Sequence, residues 1–415
     1  MESATSLTWL DNGKNPEAVT SLAASTALAS VEAPALPAAQ DATREKSVAA
    51  VRPNALAHRL GALDAFRGLT ILGMLLVNNI ALDTATPPHL RHAMWNEGIH
   101  FADLVLPWFL MIMGVAIPYA FAAFKRKGLP LWRHDLRIVG RAVTLVLLGC
   151  LIDSSLARRP MFDMGVLQIL GLSYLVGGLL YELPVRRRLT LAGALLIAHW
   201  AAIRFMPIPG VGSGVFTEGT NFIRHLNQIY LQPLHLGGLL SVIPTSALVL
   251  IGTALGDVLR RESYAPMQKA AYMLSGGVVM LIVGLLWNLD LPFNKPVWTA
   301  SYIVYSAGWG AVALGLLYLL IDVNGWRAWA LPLVIPGVNA ITAYVAPILV
   351  KIYIFQQWTW KQPDGSVLPL DQSFMHSAFV HFGRYLGGWV YTVGYIAFWW
   401  LILLWMYRRR IFIRV

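Results

Sequence analysis

The chain has 415 residues, of which 57% are hydrophobic and only 13% are charged, whereas charged residues make up about a quarter of a typical soluble domain. This composition excludes a soluble globular protein and predicts a polytopic membrane protein. The formal net charge of +11 would suggest nucleic acid binding in a soluble protein, but in a membrane protein an excess of Lys and Arg is first an orientation signal.

The first 57 residues are rich in Ala, Ser, Thr and Pro and contain no long apolar run and no helical period. The segment also lacks the basic start and apolar core that are typical of a signal peptide. We therefore predict a disordered N-terminal tail over residues 1–57, followed by a transmembrane domain over residues 58–415.

Ten apolar segments follow the tail, and each is near the ~20 residues that a helix needs to cross a bilayer. They lie at about 69–82, 103–124, 133–152, 165–181, 189–205, 236–258, 270–289, 298–321, 331–355 and 385–407. The first is the shortest, and we expect its helix to extend into both flanks. The sequence thus predicts an all-α fold, a bundle of about ten transmembrane helices.

Positive charge is distributed unequally between the two sides of this bundle. If the odd segments run outward and the even segments return, 19 Lys or Arg residues fall on the inner side, 9 on the outer side and 4 in the tail. The positive-inside rule then places both termini in the cytoplasm, which explains the net charge without nucleic acid. It also places the bend over residues 84–102 on the outer face.

Polar side chains are concentrated in this bend and at the start of the second segment. Eight of them fall within fifteen residues: His89, Arg91, His92, Trp95, Asn96, Glu97, His100 and Asp103. Polar groups near the hydrocarbon are costly, and most of those that persist are functional. We therefore expect the active site here.

Five stretches resemble successive landmarks of the heparan-alpha-glucosaminide N-acetyltransferase family, whose bacterial relatives include NagX-like proteins. They are LDAFRGLTILGMLLVNN, HAMWNEGIHFADLVLPWFLMIMG, GVLQILGLSYLV, PFNKPVWTASYIVYSAG and PGVNAITAYV. The resemblance runs from about residue 59 to the C-terminus and implies one transmembrane acyltransferase domain. It implies transfer of an acetyl group from cytosolic acetyl-CoA, a co-substrate, to glucosamine or a glucosamine-terminated saccharide on the periplasmic side of the inner membrane.

The resemblance also implies roles for individual residues. The active-site histidine of the family lies in a His-Ala-x-Trp-Asn segment, which places it at His92. The neighbouring motifs Val-Asn and Ala-Asp-Leu add Asn78 and Asp103 to the expected catalytic set. Within the histidine segment, Asn96 is expected to contact the substrate, and Trp95 either stacks on a sugar or belongs to an aromatic belt at the membrane surface.

The proposed chemistry requires these residue types. An amine that attacks a thioester needs a base that titrates near neutral pH, and a histidine such as His92 suits this task. Asp103 could fix the imidazole tautomer, although it would also serve as a simple N-cap. Asn78 or Asn96 could donate to the developing oxyanion. His92 could instead accept the acetyl group itself, so that direct transfer and double displacement both stay open.

Three more polar residues fall within the landmarks. Gln168 and Asn339 are at or near membrane depth, and we expect them to line the substrate pocket, although hydrogen bonding between helices is the simpler alternative. Arg67 lies at the inner surface. It either binds the phosphates of acetyl-CoA or acts as a positive-inside anchor.

Several other functions lack support in the sequence. There is no P-loop motif, no HExxH motif and no metal-spaced cluster of Cys and His, and Cys150 is the single cysteine. The main alternative to an acetyltransferase is a sugar or sugar-conjugate transporter whose outer bend binds its substrate without chemistry. The expected partners are an amino sugar, acetyl-CoA and the lipid bilayer, with no nucleic acid, and a homodimer is left open.

Overall fold

The structure is a computed structural model that describes residues 60–95, 97–362 and 365–413. The tail predicted over residues 1–57 lies outside the described residues. The described part is mostly helical, and its one sheet is a small antiparallel hairpin formed by β1 (Thr359–Lys361) and β2 (Val367–Pro369).

Twelve α-helices follow one another in the part of the chain that the structure describes. They are α1 (Gly61–Asn79), α2 (Phe101–Lys125), α3 (Leu131–Ala157), α4 (Val166–Leu179), α5 (Val185–Phe205), α6 (Phe222–Leu226), α7 (Val242–Arg260), α8 (Pro266–Asn288), α9 (Ala300–Leu317), α10 (Leu331–Val338), α11 (Ala340–Val350) and α12 (Leu370–Arg408). Single π-helical stretches extend α9 to Val323 and α11 to Phe355. Gly383 breaks α12 with a φ of 74°, a backbone conformation that glycine adopts easily.

Seven of the described helices are long and apolar enough to cross a membrane, namely α1, α2, α5, α7, α8, α9 and α12. The pair α10 and α11, which is bent by 64°, makes an eighth if it is counted as one span. The two remaining predicted segments correspond to α3, which carries five charged side chains, and to α4, which has only 14 residues. The structure therefore agrees with an all-α membrane bundle, while the count of ten spans stays a prediction.

The boundaries of α1 differ from the predicted ones. The helix begins at Gly61, eight residues before the predicted start, and ends at Asn79, so it extends into its N-terminal flank only. The early start has a long-range cause, because the carboxylate of Asp322 accepts the backbone N–H groups of Gly61 at 3.1 Å and of Ala62 at 2.9 Å. These N–H groups belong to the first turn, which has no partners within its own helix. The expectation of an extension at both ends was wrong at the C-terminal end.

Two glycines allow α1 to cross α10 at very short range. A Cβ atom on Gly68 would lie 1.6 Å from the carbonyl oxygen of Leu333, and one on Gly337 would lie 1.9 Å from the carbonyl oxygen of Asp64. No real Cβ atom tolerates such distances. Small residues at this crossing therefore bring the two backbones into direct contact, as they do in many membrane helix pairs.

Polar contacts join helix ends at two opposite ends of α1. At the end where α1 finishes, Lys351 donates to the Oδ1 atom of Asn79 at 3.2 Å. At the end where α1 begins, Asp322 caps Gly61. A helix of 19 residues separates these ends by about 28 Å. In each of the two contacts, both partners come from regions that the sequence assigns to the same side of the membrane.

Candidate active site

Asp103 is the buried anchor of the candidate site. Its side chain is only 2% exposed, and it lies in the first turn of α2. The Oδ2 atom accepts the backbone N–H groups of Ala93 and His100, each at 3.1 Å. The Oδ1 atom accepts from Nδ1 of His92 at 2.9 Å and faces the ammonium group of Lys295 at 3.4 Å. Four donors thus satisfy the buried carboxylate and fix its orientation.

The start of α2 explains why Asp103 has this position. His100 is the N-cap residue, and the bond from its N–H group to Asp103 is one half of a capping box. The hydroxyl group of Tyr302 on α9 donates to the backbone carbonyl of Asp103 at 2.6 Å. One carboxylate oxygen therefore caps the helix while the other holds His92, so that the two interpretations of Asp103 from the sequence are compatible.

The bend before α2 is closed by a local turn. Arg91 forms an ion pair of 2.9 Å with Glu97, and the backbone N–H group of Met94 donates to the same carboxylate at 2.9 Å. The N–H group of Met94 and the nearby Arg91 lower the pKa of Glu97. Glu97 thus stays ionised and holds the turn that presents His92.

His92 projects from the bend with its side chain 53% exposed. An ionised carboxylate can only accept a hydrogen bond, so we assign the proton of the neutral ring to Nδ1, which faces Asp103, and this leaves Nε2 as a proton acceptor. The ring lies at a cavity of about 100 Å³ that is also lined by Asn78, Lys295 and Tyr344. The structure therefore brings together the three expected catalytic residues: Asn78 and His92 at the cavity wall, and Asp103 behind the imidazole.

Lys295 is a member of this site that the sequence interpretation missed. Its Nζ atom lies 3.0 Å from Nδ1 and 3.5 Å from Nε2 of His92. Burial lowers the pKa of Lys295, and the neighbouring carboxylate of Asp103 partly offsets this effect. The landmark PFNKPVWTASYIVYSAG contains this lysine on the predicted outer side, which was a usable signal. It was missed because a single lysine in an outer loop resembles an ordinary surface charge.

The two expected substrate contacts in the bend are placed differently. Trp95 lies outside the lining of the His92 cavity and lines a separate, larger cleft, where its ring centre is 5.1 Å from that of Phe216. Asn96 lies outside the described residues. Its role in substrate binding or oxyanion stabilisation stays a prediction.

Gln168 and Asn339 are both buried and bonded within the bundle. Gln168 on α4 donates to the carboxylate of Asp153 on α3 at 2.6 Å. Asn339, at the bend between α10 and α11, donates to the carbonyl of Ile411 at 2.9 Å and accepts the N–H group of Ile413 at 3.0 Å. The structure brings neither residue to the cavity at His92. Their expected role in substrate binding stays a prediction that no contact here supports.

Arg67 is the seventh residue of α1 and lies in the half of this helix that is remote from the cavity. It precedes Asn78 by eleven residues, which corresponds to about 16 Å along a helix. Its Nη1 atom lies 3.1 Å from the carboxylate of Asp64 and 3.4 Å from the carbonyl of Gly337. Arg67 therefore lies inside the first half of α1 and not before the span, as the sequence suggested, and it does not join His92 in one site.

The helical bundle and the imidazole held by a buried carboxylate define the chain as a polytopic membrane protein with a candidate acid–base site at one end. Residues 59–286, more than half of the chain, match the model of a family described as heparan-alpha-glucosaminide N-acetyltransferase, catalytic. The chain belongs to this family, which confirms the resemblance found in the sequence.

Two relatives carry the same family name. The chain is 26% identical over 429 residues to the heparan-alpha-glucosaminide N-acetyltransferase of Homo sapiens, an alignment that covers 88% of this chain and 61% of the human protein. It is 25% identical over 387 residues to the protein of that name from Mus musculus, with 78% and 58% of the two chains covered. The chain thus spans about three-fifths of the length of these relatives.

Proposed function

We propose that the chain is a transmembrane acetyltransferase that moves an acetyl group from acetyl-CoA to the amine of glucosamine or of a glucosamine-terminated saccharide. The observation that carries this proposal is the imidazole of His92, which is held by the buried Asp103 and lies at a cavity beside Asn78 and Lys295. A transporter that only binds a sugar has no need of an oriented base. Membership of an N-acetyltransferase family supports the same function.

The arrangement suggests a direct transfer. As the amine nitrogen attacks the thioester carbonyl, a C–N bond forms and Nε2 of His92 takes the proton that the amine loses. The negative charge on the carbonyl oxygen is stabilised by donors at the cavity wall, the amide of Asn78 and the ammonium group of Lys295. The C–S bond then breaks, and the proton on His92 passes to the thiolate sulfur of coenzyme A.

Double displacement through an acetyl-imidazole is the alternative route. With half of its side chain exposed, His92 would leave such an intermediate open to hydrolysis, because water is not excluded from the ring. Direct transfer is therefore the favoured route.

Release of free thiol tests the proposed function. Purified protein in detergent is expected to release coenzyme A only when acetyl-CoA is supplied together with an acceptor, either glucosamine or a disaccharide with glucosamine at its non-reducing end. Binding of these sugars without any release of thiol would favour the transporter instead.

The proposed arrangement in the membrane has ten spans, both termini in the cytoplasm and the His92 cavity on the periplasmic face of the inner membrane of a bacterial, NagX-like protein. Residues 58–415 form its acyltransferase domain, with residues 1–57 as a separate tail. The charge difference between the two sides supports this orientation. Two contacts join helix ends that are predicted to lie on the same side, which supports the order of the spans. Reporter fusions after Arg188 and Gly219 should score cytoplasmic and external, respectively.

Arg67 is the proposed contact for the phosphates of acetyl-CoA. It lies in the half of α1 that faces the side from which a cytosolic donor would enter, about 16 Å along the helix from Asn78. Replacement by Ala should weaken acetyl-CoA binding about ten- to a hundredfold, as expected for loss of one charge-assisted contact of about 1.5–3 kcal/mol. The apparent affinity for the sugar should change little. Calorimetric titration measures this effect, with Arg126→Ala, an exposed arginine on the same predicted side, as the control. If Arg67→Ala bound acetyl-CoA with the affinity of the wild type, Arg67 would be a positive-inside anchor and not a phosphate contact.

Loss of the positive charge of Lys295 should lower the reaction rate at high pH. If its ammonium group stabilises the oxyanion, Lys295→Gln should lower turnover by about 10²–10³. Because burial lowers the pKa of Lys295, the wild-type rate should fall with rising pH already below the ~10.4 of a free lysine. Lys295→Arg keeps the charge at higher pH, so its alkaline limb should move upward. A pH–rate profile with the same alkaline limb in both proteins would argue against this role.

A further inference from the structure

A second cleft of about 330 Å³ opens beside the His92 cavity. Trp95 forms part of its wall and follows His92 by three residues. Pro296, which directly follows Lys295, forms another part. The cleft and the His92 cavity therefore lie close together at the same end of the bundle.

The lining of this cleft has the chemistry of a carbohydrate site. It combines the indole of Trp95 with the amide side chains of Asn227, Gln228 and Gln232. Indole rings pack against the C–H faces of sugars, and amides donate to and accept from hydroxyl groups. Asn227 is held in place because its Oδ1 atom accepts the N–H group of Gly238 at 3.2 Å. Within the described part of the chain, the side chains of Gln228 and Gln232 make no hydrogen bond, which leaves them available to a ligand.

The charges around the cleft discriminate between kinds of sugar. Two carboxylates line it, those of Asp163 and Glu218. Among its described lining residues, Arg224 is the one cation, and its Nη1 atom already donates to the backbone carbonyl of Glu218 at 2.9 Å. The excess of negative charge disfavours an anionic ligand and favours a neutral or positively charged one.

We infer that this cleft binds a second sugar unit of the acceptor, and that this unit is neutral or carries an amine and is not a uronate. The inference rests on the proposed function, since the first unit presents its amine to His92. The acceptor is then a saccharide of at least two units, and the cleft sets the preference for the unit that follows the reacting glucosamine.

Competing acceptors test this inference. We would compare free glucosamine with three disaccharides in which glucosamine is linked to a second glucosamine, to glucose or to glucuronate. The first two disaccharides should have a kcat/KM at least about tenfold above that of free glucosamine, as expected for two or three added hydrogen bonds, and the glucuronate disaccharide should not. In the double variant Gln228→Ala, Gln232→Ala, the ratio of the kcat/KM of these two disaccharides to that of free glucosamine should fall towards one.

Two more variants make the test specific. Replacing both Asp163 with Asn and Glu218 with Gln should raise the kcat/KM of the glucuronate disaccharide relative to that of the glucosamine disaccharide. Gln372→Ala changes an exposed glutamine of α12 that does not line the cleft, and it should leave all ratios unchanged. Equal rates for free glucosamine and all disaccharides, or ratios that the double variant leaves intact, would overturn the inference.

Direct binding separates the inference from the proposed function. If no acceptor were acetylated, the proposed function would fail, but calorimetry could still compare the disaccharides with free glucosamine. Tighter binding of the glucosamine disaccharide that is lost in the double variant would keep the cleft as a saccharide site. Equal affinities of the wild-type protein for the glucosamine disaccharide and for free glucosamine would show that the cleft does not bind a second sugar unit.

Discussion

Replacement of His92 by Ala is expected to lower turnover at least about a hundredfold, the effect typical of losing a positioned general base. The imidazole lies at the cavity with Nε2 as its acceptor, and the ammonium form of the neighbouring Lys295 has no lone pair with which to replace it as a base. The measurement is release of free thiol from acetyl-CoA in the presence of the acceptor.

The variant should otherwise resemble the wild type. His92 is half exposed, so its removal creates no buried cavity, and acetyl-CoA binding and the melting temperature should change little. His89→Ala is the matched control, because this exposed histidine of the same bend does not line the cavity. Direct transfer also predicts that wild-type protein releases no burst of thiol without an acceptor. Near-normal transfer by His92→Ala would rule out the bend as the catalytic centre.

Gly68→Ala is expected to prevent the bundle from assembling correctly. The added Cβ atom would meet the carbonyl oxygen of Leu333 at 1.6 Å, and this neighbour is backbone, which cannot rotate aside. The cost should exceed the roughly 1–3 kcal/mol of ordinary overpacking in a core. A lower melting temperature and a loss of monodisperse protein in detergent would report it.

Gly193→Ala provides the matched control for this prediction. Gly193 also lies within a membrane helix, α5, but a Cβ atom there would have no neighbour within 4 Å. Since Ala is the better helix former by about 1 kcal/mol, this variant should be at least as stable as the wild type. Equal melting temperatures for Gly68→Ala and Gly193→Ala would show that the backbones of α1 and α10 are not in direct contact at Gly68.

The positions of the helices were largely predictable, and the reason is physical. A chain that crosses a bilayer must bond its backbone internally, so long apolar runs form helices almost regardless of their detailed sequence. The start of α1 escaped prediction because Asp322, 260 residues away from Ala62, caps it. A pattern read along the chain contains no information about such a contact.

The candidate site also combines contacts that are local in sequence, which could be predicted, with long-range contacts, which could not. His92 and Asp103 are close in sequence, and their pairing follows from local geometry around one bend and one helix start. Lys295 is separated from His92 by 203 residues, and only the packing of α9 against α2 brings it near. Gln168 had suggested a pocket because it is polar at membrane depth, but the structure pairs its amide nitrogen with a carboxylate on a neighbouring helix.

The long-range cap on α1 also has a consequence for biosynthesis. The ribosome delivers α1 long before the residues that complete it, Asp322 and Gly337. At about 5–20 residues per second, the 260 residues between Ala62 and Asp322 take roughly 13 to 52 seconds to synthesise. During that interval the first turn of α1 has no cap, and the surface around Gly68 has no partner from α10. Nascent chains that stall before α10 thus expose this surface to the quality-control machinery of the membrane.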